Sequence, residues 1–281
     1  MKKTTLFFLA YFDFDVIKRS LESFYALSEF LEIIVIENGS INSTEIRVFL
    51  KKEINRGKIH SCYFFYRNLS NNSLEIVIDR ELKKMSAHDY FIISDGDLLI
   101  ENKKSYLEII NIMDNHSDLF ACGVSLDKIN LPLDNFPESI FWITEDISEE
   151  DDYYEARTGV HLLMLRTVDF LKYWKYREER KESITDFSMA NYCYNIQNKK
   201  WGRTKQSSAL HLTWDSYKDF NHPYTLEKLK KSLSRTWNHK DYFSLVEYIS
   251  HTGTGEKKYF IDIKRVVYSV LFHIKKIIEL K

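Results

Sequence analysis

The sequence predicts an α/β protein: a mostly parallel sheet flanked by helices, with an α-helical appendage at the C-terminal end. Three observations carry this prediction. Short, nearly continuous apolar runs alternate with stretches of helical spacing through the first hundred residues, the order that produces parallel strands covered on both faces. These runs end at acidic or turn-forming residues, so each reads as a buried strand delivering the chain to a loop. Beyond residue 215 the apolar residues recur at three- and four-residue spacing.

Taken in order, Thr5–Phe12 is the first apolar strand, and Val16–Phe30 follows with Ile17, Leu21, Phe24 and Leu27 near helical spacing. Leu31–Ile36 is a second buried strand, closed by the turn sequence Glu37-Asn38-Gly39-Ser40. Thr44–Glu53 reads as a helix, with Ser43 or Thr44 as its N-cap. His60–Tyr66 is the third strand, Leu74–Met85 an amphipathic helix and Tyr90–Ile93 the fourth strand. Downstream, Tyr106–Asn115 is helical and Leu119–Leu126 a strand. Asn130–Asp152 is irregular, holds two of the 3 prolines and ends in the acidic run Glu145–Asp152, which reads as a solvated or mobile loop, or else as a substrate lid. Thr158–Arg166 reads as a strand, Asp169–Glu179 and Asp186–Gln197 as helices, and Ser207–Thr213 as a strand again.

Composition narrows the class. Over 281 residues, 44% hydrophobic and 29% charged content are those of a soluble globular protein, and 8 Gly with 3 Pro exclude low-complexity or collagen-like chains. A net charge of −1 gives no general case for nucleic acid. The charge is uneven, because Ser216–Lys281 carries 13 Lys+Arg against 7 Asp+Glu, leaving 27 against 34 before it. The 3 cysteines, Cys62, Cys122 and Cys193, form no zinc or CxxC spacing and read as reduced cytosolic thiols. The N-terminal apolar run breaks at Asp13 without a cleavage site and reads as a strand rather than a signal peptide. No stretch approaches the ~18 apolar residues that cross a membrane.

The chemistry centres on Ser94-Asp95-Gly96-Asp97. Two carboxylates one residue apart stand at a strand's carboxyl end, where open α/β sheets bind ligands. Such a pair suits Mg²⁺ or Mn²⁺ held together with substrate phosphates. Asp-x-Asp alone is weak, since Asp13-Phe14-Asp15 repeats it and Asp and Gly are ordinary turn formers.

The order of landmarks is more specific. Ala10-Tyr11-Phe12-Asp13, Ile36-Glu37-Asn38-Gly39-Ser40, Arg67-Asn68, Ser94-Asp95-Gly96-Asp97 and Ile184-Thr185-Asp186-Phe187-Ser188 before Lys200-Trp201-Gly202 follow one another at strand ends or a helix start. From about Thr4 to Asp215 the chain resembles an inverting family-2 glycosyltransferase with the Rossmann-like GT-A fold. It departs from that pattern in Glu37 for the usual Asp, in Asp13 where Asn or Arg is common, and in Thr185 for the Glu before Asp186. The acceptor signature of processive polysaccharide synthases is absent, so transfer of a single sugar is expected.

The resemblance implies a catalytic domain over residues 1–215 and a basic α-helical extension over 216–281. It implies a nucleotide-sugar donor, a UDP-sugar first, and Mn²⁺ or Mg²⁺. The acceptor would be a saccharide or a lipid-linked glycan in bacterial surface-glycan assembly. Asp13, Glu37 and Arg67 would lie beside the nucleotide, and Asp95 would reach the ribose or the metal. Asp97 would ligate the metal, with His211 as a third ligand. Asp186 would be the general base. The alternatives are structural: Asp13 or Asp15 as a helix N-cap, Asp186 as another, and His211 as a hydrogen-bonded core residue. Trp201 and Trp214 either stack on sugar or base, or pack. A nucleotidyltransferase of the same fold would open with a Gly-rich loop and a basic residue, which Ala10–Asp15 lacks. A non-catalytic binding module would be expected to lose its acidic residues. In the tail, Phe260, Ile263, Val267, Val270, Ile274 and Ile277 mark one face of a helix over 257–281. That face would lie on the inner surface of a membrane, as in a cytoplasmic, peripheral protein, or pack on its own domain or in a homo-oligomer.

Overall fold

In the computed structural model, residues 3–40, 43–143, 146–226, 243–250 and 256–261 are described. Strands β1 (Thr4–Ala10), β2 (Leu31–Asn38), β3 (Ser61–Phe65) and β4 (Tyr90–Asp95) lie in the order β3-β2-β1-β4, all parallel. Helices α1 (Phe14–Phe24), α2 (Ser43–Asn55) and α3 (Asn72–Met85) connect them. Alternate residues of β1 serve opposite faces, as pleating requires. Leu6, Phe8 and Ala10 join a core with Ile17, Leu21 and Phe24 of α1 and Ile46 and Leu50 of α2. Phe7 joins the other core, with Val77 and Ile78 of α3.

The second half extends the sheet past β4. Strand β5 (Leu98–Leu99) and helix α4 (Lys104–Asn115) lead to β6 (Leu119–Leu126), and the short strands β7 (Ser148–Glu149) and β8 (Tyr153–Glu155) precede β9 (Leu163–Arg166). Helices α5 (Thr167–Arg180) and α6 (Asp186–Asn195) then lead to β10 (Lys200–His211). Strand β9 inserts between β4 and β6, antiparallel to both, while β10 runs parallel to β6. The far end of β10 pairs with β5, setting His211 opposite Leu98.

Several expectations change. The strand expected over 158–166 begins only at Leu163, because Leu162 turns to φ +44° with its N–H directed to the Ser94 hydroxyl at 3.3 Å. The strand expected at 207–213 starts at Lys200, so Lys200-Trp201-Gly202 is sheet and not a helix end. The acidic run is not a free loop. Glu150 pairs with Lys200 at 3.0 Å, Glu149 with Lys205 at 2.6 Å and Asp146 with Arg203, so cations on β10 clasp the β7–β8 hairpin.

The helical extension also changes. Residues 223–226 are helical, whereas Phe243–Ser250 (β11) and Glu256–Ile261 (β12) are strands, and β11 adds antiparallel to β3. The start of the predicted tail helix is therefore an edge strand; residues 262–281 lie outside the described residues. All three cysteines are buried and none is in a disulfide among the described residues. Among the described residues no helix is long and apolar enough to cross a membrane.

Gly96 fits where a side chain cannot. Its N–H donates to Leu9 O at 2.8 Å, and a Cβ there would lie 2.5 Å from that oxygen. Gly96→Ala should therefore cost about 1–3 kcal/mol, as overpacking does. Urea denaturation should show this as a lower midpoint with an unchanged slope.

Candidate active site

The strand order turns at β1: β2 and β3 extend to one side and β4 to the other. Ligands bind such sheets at this switch point, beyond the strands' carboxyl ends. A cavity of about 460 Å³ opens there, walled by Leu9, Ala10 and Tyr11 from the end of β1 and by Asp95-Gly96-Asp97 from the end of β4. On one side it is neutral and polar, with Asn38, Asn68, Ser70 and Asn71. Asn38 ties that side together, its Nδ2 donating to Ser70 O at 3.0 Å and its Oδ1 accepting from Leu69 N at 3.0 Å.

The other side is acidic and imidazole-rich. Asp97 Oδ2 accepts from Thr213 Oγ1 at 2.8 Å and lies 3.7 Å from His211 Nε2. Asp97 Oδ1 is buried and has no hydrogen-bond partner among the described residues. The His211 ring stacks on Trp214, with centroids 4.8 Å apart and planes at 10°, and meets His161 edge-on at 5.4 Å. His161 Nε2 is 3.9 Å from Asp95 Oδ2.

A second cavity of about 290 Å³ adjoins the first, and Asp95, Trp142 and His161 line both. Its wall includes Arg157, Arg203 and Asp186. Asp186 opens α6, yet it is not the cap. Thr185 accepts from Ser188 N at 2.9 Å, and the Ser188 hydroxyl accepts from Thr185 N at 3.0 Å, a complete capping box. The Asp186 carboxylate is spared that task.

Architecture and comparisons agree at this point. No family model matches the chain. Two curated proteins of Acanthamoeba polyphaga mimivirus are similar in sequence. Uncharacterized protein L142 is 37% identical over 241 residues, covering 84% of this chain and 49% of that protein. Uncharacterized protein L137 is 35% identical, covering 84% and 33%. The chain thus spans half or less of their length. Among solved structures, TarS of S. aureus matches with a TM-score of 0.50 at 12% identity, over 85% of this chain and 41% of that one. GalNAc-T7, solved with UDP, GalNAc and Mn²⁺, matches with a TM-score of 0.50 at 10% identity, over 74% and 43%. The fold is that of GT-A glycosyltransferases.

Of the residues singled out in the sequence, Asp95, Asp97 and His211 come together in the first cavity, and Asp186 stands in the second. Three do not reach a cavity wall. Asp13 caps α1, its Oδ1 accepting from Asp15 N at 3.0 Å and Val16 N at 3.2 Å, so Asp13 and not Asp15 is the cap. Glu37 is fully buried beneath the turn it closes, with Oε1 accepting from Ser40 N at 2.7 Å; burial raises its pKa, against the opposing effect of the Ser40 and Gly39 bonds. Arg67 packs its backbone against Gly39, where a Cβ would lie 2.0 Å from Arg67 C. Gly39 sits at φ +65°, so the turn requires glycine. Trp214 lines the cavity, whereas Trp201 is core, its indole donating to Thr158 Oγ1 at 3.0 Å.

Sequence reading missed His161, Thr213, Trp142 and Tyr224, which also line the first cavity. Burial, and next the neighbouring His211, lower the His161 pKa from 6.5 to about 3, against the opposing pull of Asp97. The unfolded chain then binds the extra proton between those two values, so this residue's contribution is full above about pH 6.5 and lost as pH falls toward 3. In metal-free protein, His161→Gln should flatten the fall in melting temperature between pH 7 and pH 4, as scanning calorimetry across that range would record.

Proposed function

We propose that the chain is a metal-dependent glycosyltransferase that moves one sugar from a nucleotide-sugar donor to a saccharide or lipid-linked acceptor, with inversion. The observation that carries this reading is the pair of cavities meeting at Asp95, Trp142 and His161, with Asp97 and His211 on one side and Asp186 on the other. Donor and acceptor each have a compartment, and the shared wall is where the reacting atoms would meet. The GT-A fold supports the same reading.

The charge of the first cavity decides what it needs. No Arg or Lys lines it among the described residues, so a donor diphosphate there would face Asp95 and Asp97 with no protein cation to balance it. Buried charges of one sign are costly unless paired or metal-bound. Asp97 Oδ1, buried without a hydrogen-bond partner, is an oxygen suited to Mg²⁺ or Mn²⁺, with Asp95 and His211 as further donors. No three His, Cys, Asp or Glu side chains form a ready metal cage among the described residues; two carboxylates with substrate phosphates are an ordinary set for these ions. When bound, the ion would supply charge neutralisation to the diphosphate leaving group.

The protein's own groups do the rest. Thr213 holds Asp97 by one oxygen, and the other has no hydrogen-bond partner among the described residues and would turn to the metal. The Asn38–Asn68–Ser70 side receives the nucleoside. Asp186 takes the proton from the acceptor hydroxyl as its oxygen bonds to the anomeric carbon and the bond to the diphosphate breaks.

A thermal-shift panel of UDP-, GDP-, CMP- and dTDP-sugars with and without Mn²⁺ tests this reading. One donor at 100 times its Kd should stabilise the protein by about 2.7 kcal/mol, and only when metal is present. No metal-dependent shift with any donor would overturn the reading. Asp97→Ala should abolish the metal-dependent part of the shift. Asp186→Asn should keep the full shift and lower turnover about 10²- to 10⁴-fold, the usual worth of a general base. Near-normal turnover in that variant would remove Asp186 from the role.

A further inference from the structure

We propose that the second cavity takes an acceptor carrying an oxyanion, a phosphate or a carboxylate, close to the hydroxyl that is glycosylated. This rests on the transferase reading and names the class of its acceptor.

The basis is a segregation of charge. The first cavity has no Arg or Lys in its described wall, although a donor diphosphate would be strongly anionic. Both arginines of the site, Arg157 and Arg203, line the second cavity instead, with Asp186. Their positive charge therefore stands on the acceptor side, where Asp95 and Asp186 are the carboxylates in the same wall and Asp146 is the partner of Arg203. Neutral sugar hydroxyls do not require it. A guanidinium presents a planar fork of N–H donors that matches phosphate and carboxylate two bonds at a time.

Both guanidinium groups are held by the fold. The Arg203 side chain is only 12% exposed and is paired with Asp146 of the hairpin clasped onto β10. Arg157 lies over the ring of Phe187, 5.8 Å from its centroid, and Phe187 directly follows Asp186 in α6. An anion bound by Arg157 thus holds the acceptor beside the candidate base. Trp142, Val124, Leu126 and Ile143 make one part of this wall apolar, which strengthens charge-assisted bonds by excluding water, while Asp95, Thr158 and His161 make another part polar.

The test uses the full chain with Mn²⁺ and UDP, and titrates three probes by calorimetry: 4-nitrophenyl β-glucoside, 4-nitrophenyl β-glucuronide and glucose 6-phosphate. At least one anionic probe should bind about tenfold or more tightly than the neutral glucoside, the worth of one charge-assisted hydrogen bond. The glucuronide and the phosphate arms tell which oxyanion fits. Arg157→Ala should erase that preference, and Arg157→Lys should keep only part of it. The Mn²⁺-dependent UDP shift should be unchanged in both variants, which also reports that they fold. Equal or weaker binding of both anions than of the glucoside overturns the inference. A preference untouched by Arg157→Ala, or loss of the UDP shift in Arg157→Lys, overturns it as well. Absence of a UDP shift in the unmodified chain would instead count against the transferase reading itself.

Discussion

The close approach of Gly96 to the end of β1 sets the rest of the site. Its N–H bonds to Leu9 O, and no Cβ could occupy that gap. Because β1 and β4 are neighbours at the switch point, this one contact fixes the two carboxylates that flank Gly96 over the crevice. The residue between them is therefore a spacer for steric reasons, and its smallness is what allows an acidic pair at the sheet's edge. From Asp97 the geometry passes on: its carbonyl accepts from Leu212 N at 2.7 Å, and β5 pairs with the end of β10, which sets His211 and Thr213 beside the same carboxylate. A contact between two backbones near the N-terminal half thus positions side chains more than a hundred residues later.

Charge follows the same partition as the strands. Acidic and imidazole groups gather at the ends of β4 and β10, amides and hydroxyls at the ends of β2 and β3, and guanidinium groups across the boundary. The boundary residue His161 is half-buried and its pKa is lowered by burial, so it separates the compartments with little tendency to carry a charge into either. Its position costs backbone freedom: Leu162 takes φ +44°, a conformation uncommon for a residue with a Cβ. Trp142 is the other shared wall, and it packs on Tyr217 at 5.1 Å and Trp214 at 6.2 Å. The segment before it is thereby attached to the residues following β10.

What was legible in the sequence were features that are local. Asp95 ends β4 and Asp97 directly precedes β5, so strand and turn signals locate that pair, whereas Asp186 at the start of α6 and His211 at the end of β10 were singled out by the resemblance. His161 was not legible because its meaning depends on β9 inserting antiparallel between β4 and β6, a pairing across some seventy residues. The acidic run was misread for a related reason. Its charges look solvated until Lys200, Arg203 and Lys205 are brought alongside on β10. The tail was misread because Phe260 and its apolar neighbours also suit a strand, and β3 offers an open edge to β11 and β12.

The carboxylates that reach a cavity differ from those that do not in one physical respect: whether another group takes the structural hydrogen bond. Thr185 and Ser188 cap α6 between them, so the adjacent Asp186 need not. Thr213 engages a single oxygen of Asp97, which leaves the second directed elsewhere. Asp13 and Glu37 accept backbone N–H groups themselves. Asp13 is the side chain that caps α1, and Glu37 satisfies the Ser40 amide of a turn that Gly39 allows to close. An apolar side chain in place of either would leave those amides without their carboxylate partner, at about 0.5–2 kcal/mol for the Asp13 cap. Asp13 and Glu37 therefore hold the scaffold, while Asp95, Asp97 and Asp186 line the two cavities.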